Sequence, residues 1–366
     1  MKRLNNLNQT GRSGFTLVGL LVVVGSICVL LAILLPAVVQ VQNAAKQATC
    51  MNNIRQLVLS LHNYESAHRE LPRPTGIGRT EQNKLPKTTD RYSGLLSILN
   101  FMSRYSGPYY DEAHEVDGAT IPAFPDVDAV GHPLWSQQQH GFLCPSLPVV
   151  VSEYGATHYA FSIGDVGRNV HSPKVIRGAF AVGLEQQFEN FIDGSSNTIM
   201  MAEIGGFSER SAGRRYAVNQ STKFLNNPSL TLNLIDGSRR YKLSVELGRI
   251  SRGGNWANGT GGPGLVNTIL PPGSPSVLVG GAADVDGLFS ASTNHSGGSV
   301  VAMGDGSAHL IMADIDVGDQ THPTASAEDL AQTESHYGVW GALGSANGAE
   351  SVARDYLNEV SLSNDR

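Results

Sequence analysis

An apolar run near the N-terminus is the feature that most constrains the fold of this chain. Residues 15–39 span 25 positions at which only Thr16 and Ser26 carry a hydroxyl group, and no charged residue occurs between Arg12 and Lys46. A helix needs about 20 apolar residues to cross a bilayer. The apolar region of a cleaved secretory signal is shorter, about 7 to 15 residues, and ends at a small-residue cleavage site. The run is longer than that and no such site follows it, so it predicts a retained membrane-spanning helix.

Charge around this run indicates its orientation. Lys2, Arg3 and Arg12 all precede it, and residues 1–14 contain no acidic residue. Basic residues favour the cytoplasmic side of a membrane, which places the N-terminus in the cytoplasm and the rest of the chain outside. The formal net charge is −6, and without these three cations the remainder carries −9. Such an acidic body argues against nucleic acid as a partner.

Helical periodicity continues beyond the apolar run. Pro36 lies within the run, where membrane helices tolerate proline as a kink. Further along, five apolar residues fall at helical spacing on one face: Ile54, Leu57, Val58, Leu61 and Tyr64. We therefore expect a helical segment over 15–71, membrane-spanning over 15–39 and amphipathic thereafter, with the helix running from about Phe15 to about His68.

The remaining chain has the character of a β-rich body. Glycine is frequent, at 41 residues, and charged residues make up only 16%, which favours a loop-rich β fold over a helical bundle. Short β-type runs are expected at 178–183, 197–204, 276–281 and 299–312. The last predicts a hairpin, because Gly304-Asp305-Gly306 separates two apolar runs and glycine supplies the positive φ of tight turns.

These patterns predict an α+β protein in which a long N-terminal transmembrane and amphipathic helix packs on an antiparallel β-rich globular domain. The domain covers residues 72–312. A stretch rich in Gly, Asn and Pro at 252–275 predicts a loop insertion within it. A C-terminal tail follows over 313–366, with a short helix around 349–359.

The start of the apolar run resembles a known processing signal. The sequence SGFTLVGLL at 13–21, followed by a long apolar helix, is similar to type IV prepilins and type II secretion pseudopilins. The resemblance implies that a prepilin peptidase removes the leader 1–14 by cutting after Gly14 and methylates the new N-terminal Phe15. Pro36 then falls where pilins commonly carry a kinking proline. The implied fold is type IV pilin-like.

Six further blocks narrow the resemblance to one family. They occur in order at 50–72, 142–146, 157–162, 193–203, 294–306 and 338–350. Together they resemble a large bacterial family of pilin-like proteins with a prepilin-type N-terminus and a C-terminal H-x9-DG motif. His295 precedes Asp305-Gly306 by the nine intervening residues that this motif requires. The biochemical role of that family is largely unassigned.

One position departs from the pilin pattern. Pilins usually carry glutamate where this chain has Gly19. A carboxylate in a membrane is costly and is normally retained for a partner; in pilins that partner is thought to be the N-terminal amine of a neighbouring subunit. Gly19 cannot make this contact. A minor or tip subunit, a variant that stays in the membrane, and an ordinary subunit all remain open.

The resemblance and the inferred export also bear on the cysteines. Cys28 lies in the apolar run, whereas Cys50 and Cys144 lie outside it. Two cysteines on an exported body suggest one disulfide, because extracytoplasmic compartments are oxidising. The alternative is two unrelated free thiols.

His295 and Asp305 raise the possibility of a metal pair or a general acid–base pair. Two ligands fall short of the three or four usual for zinc, and an Asp in a turn commonly bonds its own backbone. We therefore assign His295, Asp305 and Gly306 a structural role. Asp314, Asp316 and Asp319 offer oxygen ligands suited to calcium, but their spacing does not match an EF-hand. Solvated turn acids are the preferred interpretation.

No pattern predicts catalysis or a cofactor. DGSSNT at 193–198 lacks the motifs of serine nucleophiles and predicts a turn feeding a strand. Trp256 and Trp340 could stack on sugars, but buried packing is more usual. We predict a structural or assembly subunit of a type II secretion or type IV pilus-like apparatus in the bacterial inner membrane, with a periplasmic body.

The expected partners are prepilin peptidase, other pilin-like subunits, an inner-membrane assembly platform and the lipid bilayer, and not nucleic acid. The alternative is a membrane-anchored extracytoplasmic binding module that does not polymerise.

Overall fold

In the computed structural model of the chain, helix α1 extends over Leu17–His68, 52 residues, with Pro36 inside it. This agrees with the predicted helix over the part that the structure describes. Arg69 follows in the left-handed region at φ 63° and its N–H donates to the carbonyl of Glu65 at 2.6 Å, which is a common way to end a helix. Among the described residues, α1 is the one helix long and apolar enough to cross a membrane.

The chain divides into two units, Met1–Ala45 and Lys46–Arg366, and α1 contributes residues to both. In the first unit the large apolar side chains of α1 are exposed. The predicted leader and the processing position at Gly14 and Phe15 lie outside the described residues. The structure describes residues 17–76, 87–102, 113–116, 119–121, 123–129, 131–148, 152–282, 284–292, 294–348 and 356.

The second unit consists of short helices and strands. Besides α1, its described residues form α2 (Gly94–Ile98), α3 (Pro133–Ser136), α4 (Lys223–Asn226), α5 (Gly261–Gly264) and α6 (Gly338–Gly344). Its 3-10 helices are Lys87–Arg91, Leu99–Phe101, His140–Phe142, Phe188–Asn190, Ser195–Asn197 and Pro228–Leu234. Its strands are β1 (His114–Val116), β2 (Ala119–Ile121), β3 (Tyr159–Ser162), β4 (Ile199–Glu203), β5 (Tyr216–Gln220), β6 (Leu265–Val266), β7 (Ser276–Val279), β8 (Gly287–Leu288), β9 (Gly298–Met303) and β10 (Ala308–Met312).

Among the described residues the sheets are mostly antiparallel, as predicted for an α+β body, and two parallel pairs that the sequence did not indicate add to them. The largest sheet has the order β10-β9-β4-β3-β6, and a second has the order β5-β7-β8. Most pairs are antiparallel, including the predicted hairpin of β9 and β10, but β3–β6 and β5–β7 are parallel. Both parallel pairs join strands far apart in sequence, and such strands are not restricted to the hairpin geometry of neighbours.

The central sheet is buried on both faces. Along β9, Val300 and Ala302 belong to the core that contains the buried face of α1, whereas Val301 and Met303 pack in a second core with Trp340 of α6. This is the alternation expected of a strand, in which successive side chains point to opposite faces. The sheet therefore lies between the second half of α1 and the C-terminal helix α6.

Two local predictions need correction. The run 178–183 forms no strand; Phe180 N–H bonds the Ser162 carbonyl at 3.2 Å, and a Cβ at Gly178 would lie 2.4 Å from the backbone N of Gly164. This close backbone approach explains why the position is a glycine.

The stretch 252–275, predicted as a loop insertion, is irregular apart from the short elements α5 and β6, and it is almost entirely buried. Arg252 within it is 2% exposed and donates to the carbonyls of Gly262 and Leu265. Burial lowers the pKa of this arginine to about 10. A Cβ at Gly253 would lie 1.9 Å from the carbonyl oxygen of Thr157. Glycine-rich backbone fills the core here because it permits approaches that side chains would block.

The C-terminal segment contributes to the core. Trp340 in α6 is fully buried and its indole N–H donates to Leu270 O at 2.9 Å. Trp256 is also fully buried, with its N–H on Gln137 O at 3.0 Å. Both tryptophans are therefore packing residues, as preferred from the sequence. The helix predicted around 349–359 lies outside the described residues except for Tyr356, which is helical.

Candidate functional site

The second half of α1 docks on the body through one buried face. Asn53, beside this face, donates from Nδ2 to the Leu143 carbonyl at 2.7 Å. The hydroxyl of Tyr159 in β3 donates to the Cys50 carbonyl at 3.1 Å. All the apolar residues that the sequence placed on this face are buried: Ile54, Leu57, Val58, Leu61 and Tyr64.

A disulfide joins this helical segment to the body. Cys50 of α1 is bonded to Cys144, 94 residues further along, with a Cα–Cα distance of 4.8 Å. This distance falls in the usual range for disulfides, and both residues are at most 1% exposed. The predicted pairing is confirmed, and Cys28 is a free, exposed cysteine of α1. Closing a loop of this length stabilises a fold by about 4 to 5 kcal/mol in the chain-entropy account.

His295 of the H-x9-DG motif lies against this disulfide. Its Nε2 is 3.3 Å from Cys144 Sγ and 3.1 Å from Glu203 Oε1, and its Nδ1 is 3.4 Å from Ser146 Oγ. The residue is 5% exposed, and it precedes β9, where its backbone bridges Gly298. The histidine therefore connects the segment around Cys144 to the end of β4.

Glu203 is the acid of this cluster, and the sequence analysis did not single it out. It ends β4 and is fully buried. Burial raises the pKa of Glu203, and the hydrogen bond from His295 partly offsets the shift. Oε2 accepts the Val300 N–H at 3.4 Å. A signal was present, because a carboxylate ending the apolar run TIMMA requires a buried partner.

A second histidine supports the same loop. His158 Nδ1 accepts the N–H of Cys144 at 3.0 Å, so Nδ1 carries no proton. Burial lowers the pKa of His158 to about 4, with the hydrogen bond to Cys144 opposing the shift and Arg214 adding to it. His158 is accordingly a neutral structural acceptor that holds Cys144 in place for its partner on α1.

The turn of the H-x9-DG motif forms a separate contact with α1. Asp305 Oδ1 accepts the N–H of Ser307 at 2.8 Å, and Gly306 has φ 86°, as the structural interpretation of these residues predicts. His62 of α1 lies with Nε2 2.8 Å from the Gly304 carbonyl. His295 and Asp305 thus lie at opposite ends of β9 and form no pair; the motif spans two docking points of the helix.

The DGSSNT segment contacts the turn at Gly304–Gly306 through a backbone hydrogen bond. Ser195–Asn197 form a 3-10 turn before β4, and the Ser195 carbonyl accepts the N–H of Asp305 at 3.1 Å. Asp193 Oδ2 accepts from Ser345 Oγ at 3.0 Å and from Gly348 N at 2.7 Å. The segment therefore joins the motif turn to the C-terminal block, which is a structural role.

The three acids weighed for calcium are exposed turn residues. Asp316 Oδ1 accepts the N–H of Gly318 at 3.0 Å, and Asp319 Oδ1 accepts the hydroxyl of Thr321 at 2.6 Å. The Thr321 hydrogen bonds lower the pKa of Asp319. Among the described residues, the four side chains whose ligand atoms come close enough to hold a metal ion lie elsewhere: Cys50, Cys144, Glu203 and His295.

We call this group the junction cluster: Cys50, Cys144, Glu203 and His295. Its ligand atoms all lie within 4.8 Å of one another. The side chains of Ser146, His295 and Glu203 contact one another in the order hydroxyl, imidazole, carboxylate, which is the order found in the catalytic triad of serine hydrolases. However, the histidine and the acid are buried, which keeps substrate from the reacting nitrogen. The geometry is suited to tying α1, the Cys144 loop, β4 and β9 together.

Comparison with known families places this cluster in context. A family model described as "Protein of unknown function (DUF1559)", SBP_bac_10, matches residues 40–318. The matched region contains the disulfide, the buried Glu203–His295 pair and the H-x9-DG turn. The searches of curated proteins and of solved structures found no match to the chain. The chain belongs to the DUF1559 family of proteins of unknown function.

Proposed function

We propose that the chain is a pseudopilin-like structural subunit of a type II secretion or type IV pilus-like envelope apparatus. The observation that carries the proposal is the continuous helix α1. Its first part presents exposed apolar side chains over a length sufficient to span a membrane, and its second part is fixed to the β body. A subunit that is drawn from a membrane by its helix needs both properties.

The N-terminal sequence supports the same proposal. SGFTLVGLL at 13–21 is similar to a prepilin peptidase site, with the cut after Gly14 and methylation of Phe15. The basic leader favours a cytoplasmic N-terminus. The proposed location is therefore the bacterial inner membrane with the body in the periplasm, and the proposed partners are the peptidase, other pilin-like subunits and an inner-membrane assembly platform.

The docking contacts fit a subunit that bears force along its helix. Cys50 and His62 lie more than three turns apart on α1, and each is connected to the body, one covalently and one by a hydrogen bond. A covalent cross-link prevents a pull on the helix from separating it from the β body. No catalytic step is assigned to the chain in this proposal.

Gly19 favours a minor or tip role within such an assembly. A subunit at the tip has no subunit ahead of it whose amine would require the usual glutamate. The same glycine supports the alternative function, a membrane-anchored binding module that never polymerises. Gly19→Glu separates the two: it changes the cross-linked neighbours of an assembly subunit and leaves those of a solitary anchored module unchanged.

The test of the proposal is mass spectrometry of the mature protein from its host. We expect an N-terminal peptide that begins at Phe15 and is heavier than its unmodified mass by one methyl group, about 14 Da. Gly14→Ala should abolish the cut while the chain stays in the membrane fraction. A mature N-terminus at Met1, or a cut beyond residue 39, would overturn the proposal.

A further inference from the structure

We propose that the junction cluster is a zinc site when its disulfide is reduced, so that Zn²⁺ and the Cys50–Cys144 bond are alternative ties between α1 and the body. Two thiolates, one imidazole and one carboxylate are all established zinc ligands, and four protein ligands make a closed tetrahedral site of the structural kind. The four ligand atoms already lie within 4.8 Å of one another. This inference does not depend on the proposed function.

The surroundings of His295 suit a ligand. Its Nε2 points at Cys144 Sγ and Glu203 Oε1, the two atoms that would share the metal with it, at 3.3 and 3.1 Å. Its other nitrogen, Nδ1, lies 3.4 Å from Ser146 Oγ. A metal-bound histidine normally donates its remaining N–H to such a partner, which fixes the tautomer. On metal binding the ring proton moves from Nε2, where it is shared in the hydrogen bond with Glu203, to Nδ1, from which it is donated to the Ser146 hydroxyl.

Glu203 is arranged in the same way. One carboxylate oxygen accepts the backbone N–H of Val300, and the other faces the cluster. A fully buried carboxylate is costly unless it is paired or bound to a metal. Zinc would supply that compensation more fully than a single hydrogen bond to His295 does. The carboxylate is therefore oriented by the β9 backbone and available to the metal through Oε1.

The two states are related by a balanced exchange. A dithiol reductant transfers two electrons and two protons to the Cys50–Cys144 bond, giving two protein thiols and the oxidised cyclic disulfide of the reductant. Zn²⁺ then displaces both thiol protons to solvent. The sulfurs separate to positions about 2.3 Å from the metal. Oxidation by a small-molecule disulfide, itself reduced to two thiols, re-forms the bond and releases Zn²⁺.

The consequence is that the same elements stay joined in either redox state. Cys50 lies on α1, Cys144 on the loop before β3, Glu203 on β4 and His295 before β9. The disulfide joins the first two, and zinc would join all four. Reduction alone should loosen the docked helix, and reduction with zinc should not.

The experiment uses the full chain in detergent with Cys28→Ser, so that the junction thiols are the only ones titrated. Zinc content is measured after reduction by a dithiol and removal of free metal, with the oxidised chain in parallel. We expect one Zn²⁺ per reduced chain and none per oxidised chain. Co²⁺ in place of zinc should give the thiolate charge-transfer band of a cobalt–sulfur bond.

Ligand variants test the carboxylate and the imidazole. Glu203→Gln and His295→Gln should each weaken zinc binding by at least about tenfold. His140→Gln, at an exposed histidine outside the cluster, is the matched control and should bind as the parent does. Zinc binding of equal strength in all three variants would show that the thiols alone hold the metal, and it would overturn the proposed site.

Thermal unfolding measures whether zinc stabilises the reduced chain, and it keeps the proposal testable if reduction destabilises the fold. At zinc of about 100 times Kd, the Tm of the reduced chain should exceed that with a chelator by ~5 °C, and the oxidised chain should show no difference. If reduction unfolds the chain, zinc should restore its near-UV circular dichroism. A folded reduced chain without bound zinc, or an unfolded one that zinc does not restore, contradicts the inference.

Discussion

His62 of α1 and Gly304 of the H-x9-DG turn are joined by a hydrogen bond of 2.8 Å between Nε2 and the carbonyl oxygen, although 242 residues separate them in the chain. A carbonyl only accepts, so Nε2 must carry the proton. The imidazole also stacks on Phe188 with ring centroids 4.2 Å apart. The contact fixes the docked helix to the very turn that defines the motif.

Replacing this histidine should weaken docking measurably. His62→Ala removes the hydrogen bond, worth about 1 kcal/mol, and the ring contact, worth about 1 kcal/mol more. We expect the free energy of unfolding to fall by about 2 kcal/mol, measured by denaturant titration with tryptophan fluorescence. Asn63→Ala, at the adjacent exposed position, should change it by less than about 0.5 kcal/mol. Equal losses of unfolding free energy in the two variants would show that His62 does not stabilise the docking of α1.

The disulfide should contribute more than any single hydrogen bond. Cys50→Ala together with Cys144→Ala opens a loop spanning 94 residues, and the expected loss is about 4 kcal/mol in unfolding free energy. The titration is run with a chelator so that metal binding does not contribute. Cys28→Ala is the matched control, since that thiol is free. A loss below about 1 kcal/mol in the double variant would contradict the role given to the cross-link.

Gly306 should be required for its backbone conformation alone. Its φ is 86°, and a Cβ built there meets no atom within 4 Å. Asn tolerates positive φ better than β-branched residues do, so Gly306→Val should cost about 1 to 2 kcal/mol more than Gly306→Asn in a comparison of thermal unfolding. Gly304→Ala fails for a different reason, because its Cβ would lie 2.9 Å from the Ser195 carbonyl. Equal stability of the Val and Asn variants would refute the conformational argument.

Elements that depend on local pattern were predictable from the sequence. The apolar run and the helical spacing of Ile54, Leu57 and Leu61 predict α1 and its buried face, because helical periodicity recurs every three to four residues and is detectable within a short window of sequence. The β9–β10 hairpin follows from two apolar runs around a glycine turn. The Cys50–Cys144 bond followed from the inferred export and the family resemblance, and the structure supplies the proximity that the sequence lacks.

Features that depend on distant contacts were not predictable. Glu203 and His295 are 92 residues apart, and neither local pattern indicates that they meet. The glycines at 252–275 indicate a loop, whereas their lack of side chains actually admits close packing in the core. The parallel pair β3–β6 joins strands about 100 residues apart, and a two-residue strand such as Leu265–Val266 has no period to detect.

His309 should make stability depend on pH. Burial lowers the pKa of His309, Asp305 raises it and Arg55 lowers it further. The unfolded chain, with an ordinary pKa near 6.5, then binds the proton more readily than the folded chain. Its contribution is fully present above pH 6.5 and is lost as the pH falls below that value toward the lowered folded pKa. Between pH 7.5 and 5.5 the unsubstituted chain should lose more unfolding free energy than His309→Gln, and equal losses in denaturant titrations would exclude this role.

The most direct measurement of the assembly role is site-specific photo-cross-linking in host cells, read by mass spectrometry. A photoreactive residue replaces Val29 in α1, which is 61% exposed, and a second chain carries it at Leu243 on the body, which is 91% exposed. We expect the Val29 position to capture the helices of other proteins with prepilin-type N-termini and the Leu243 position not to capture them. Adducts at Val29 with lipid alone, in a chain that fractionates with the membrane, would contradict the claim that this protein is an assembly subunit.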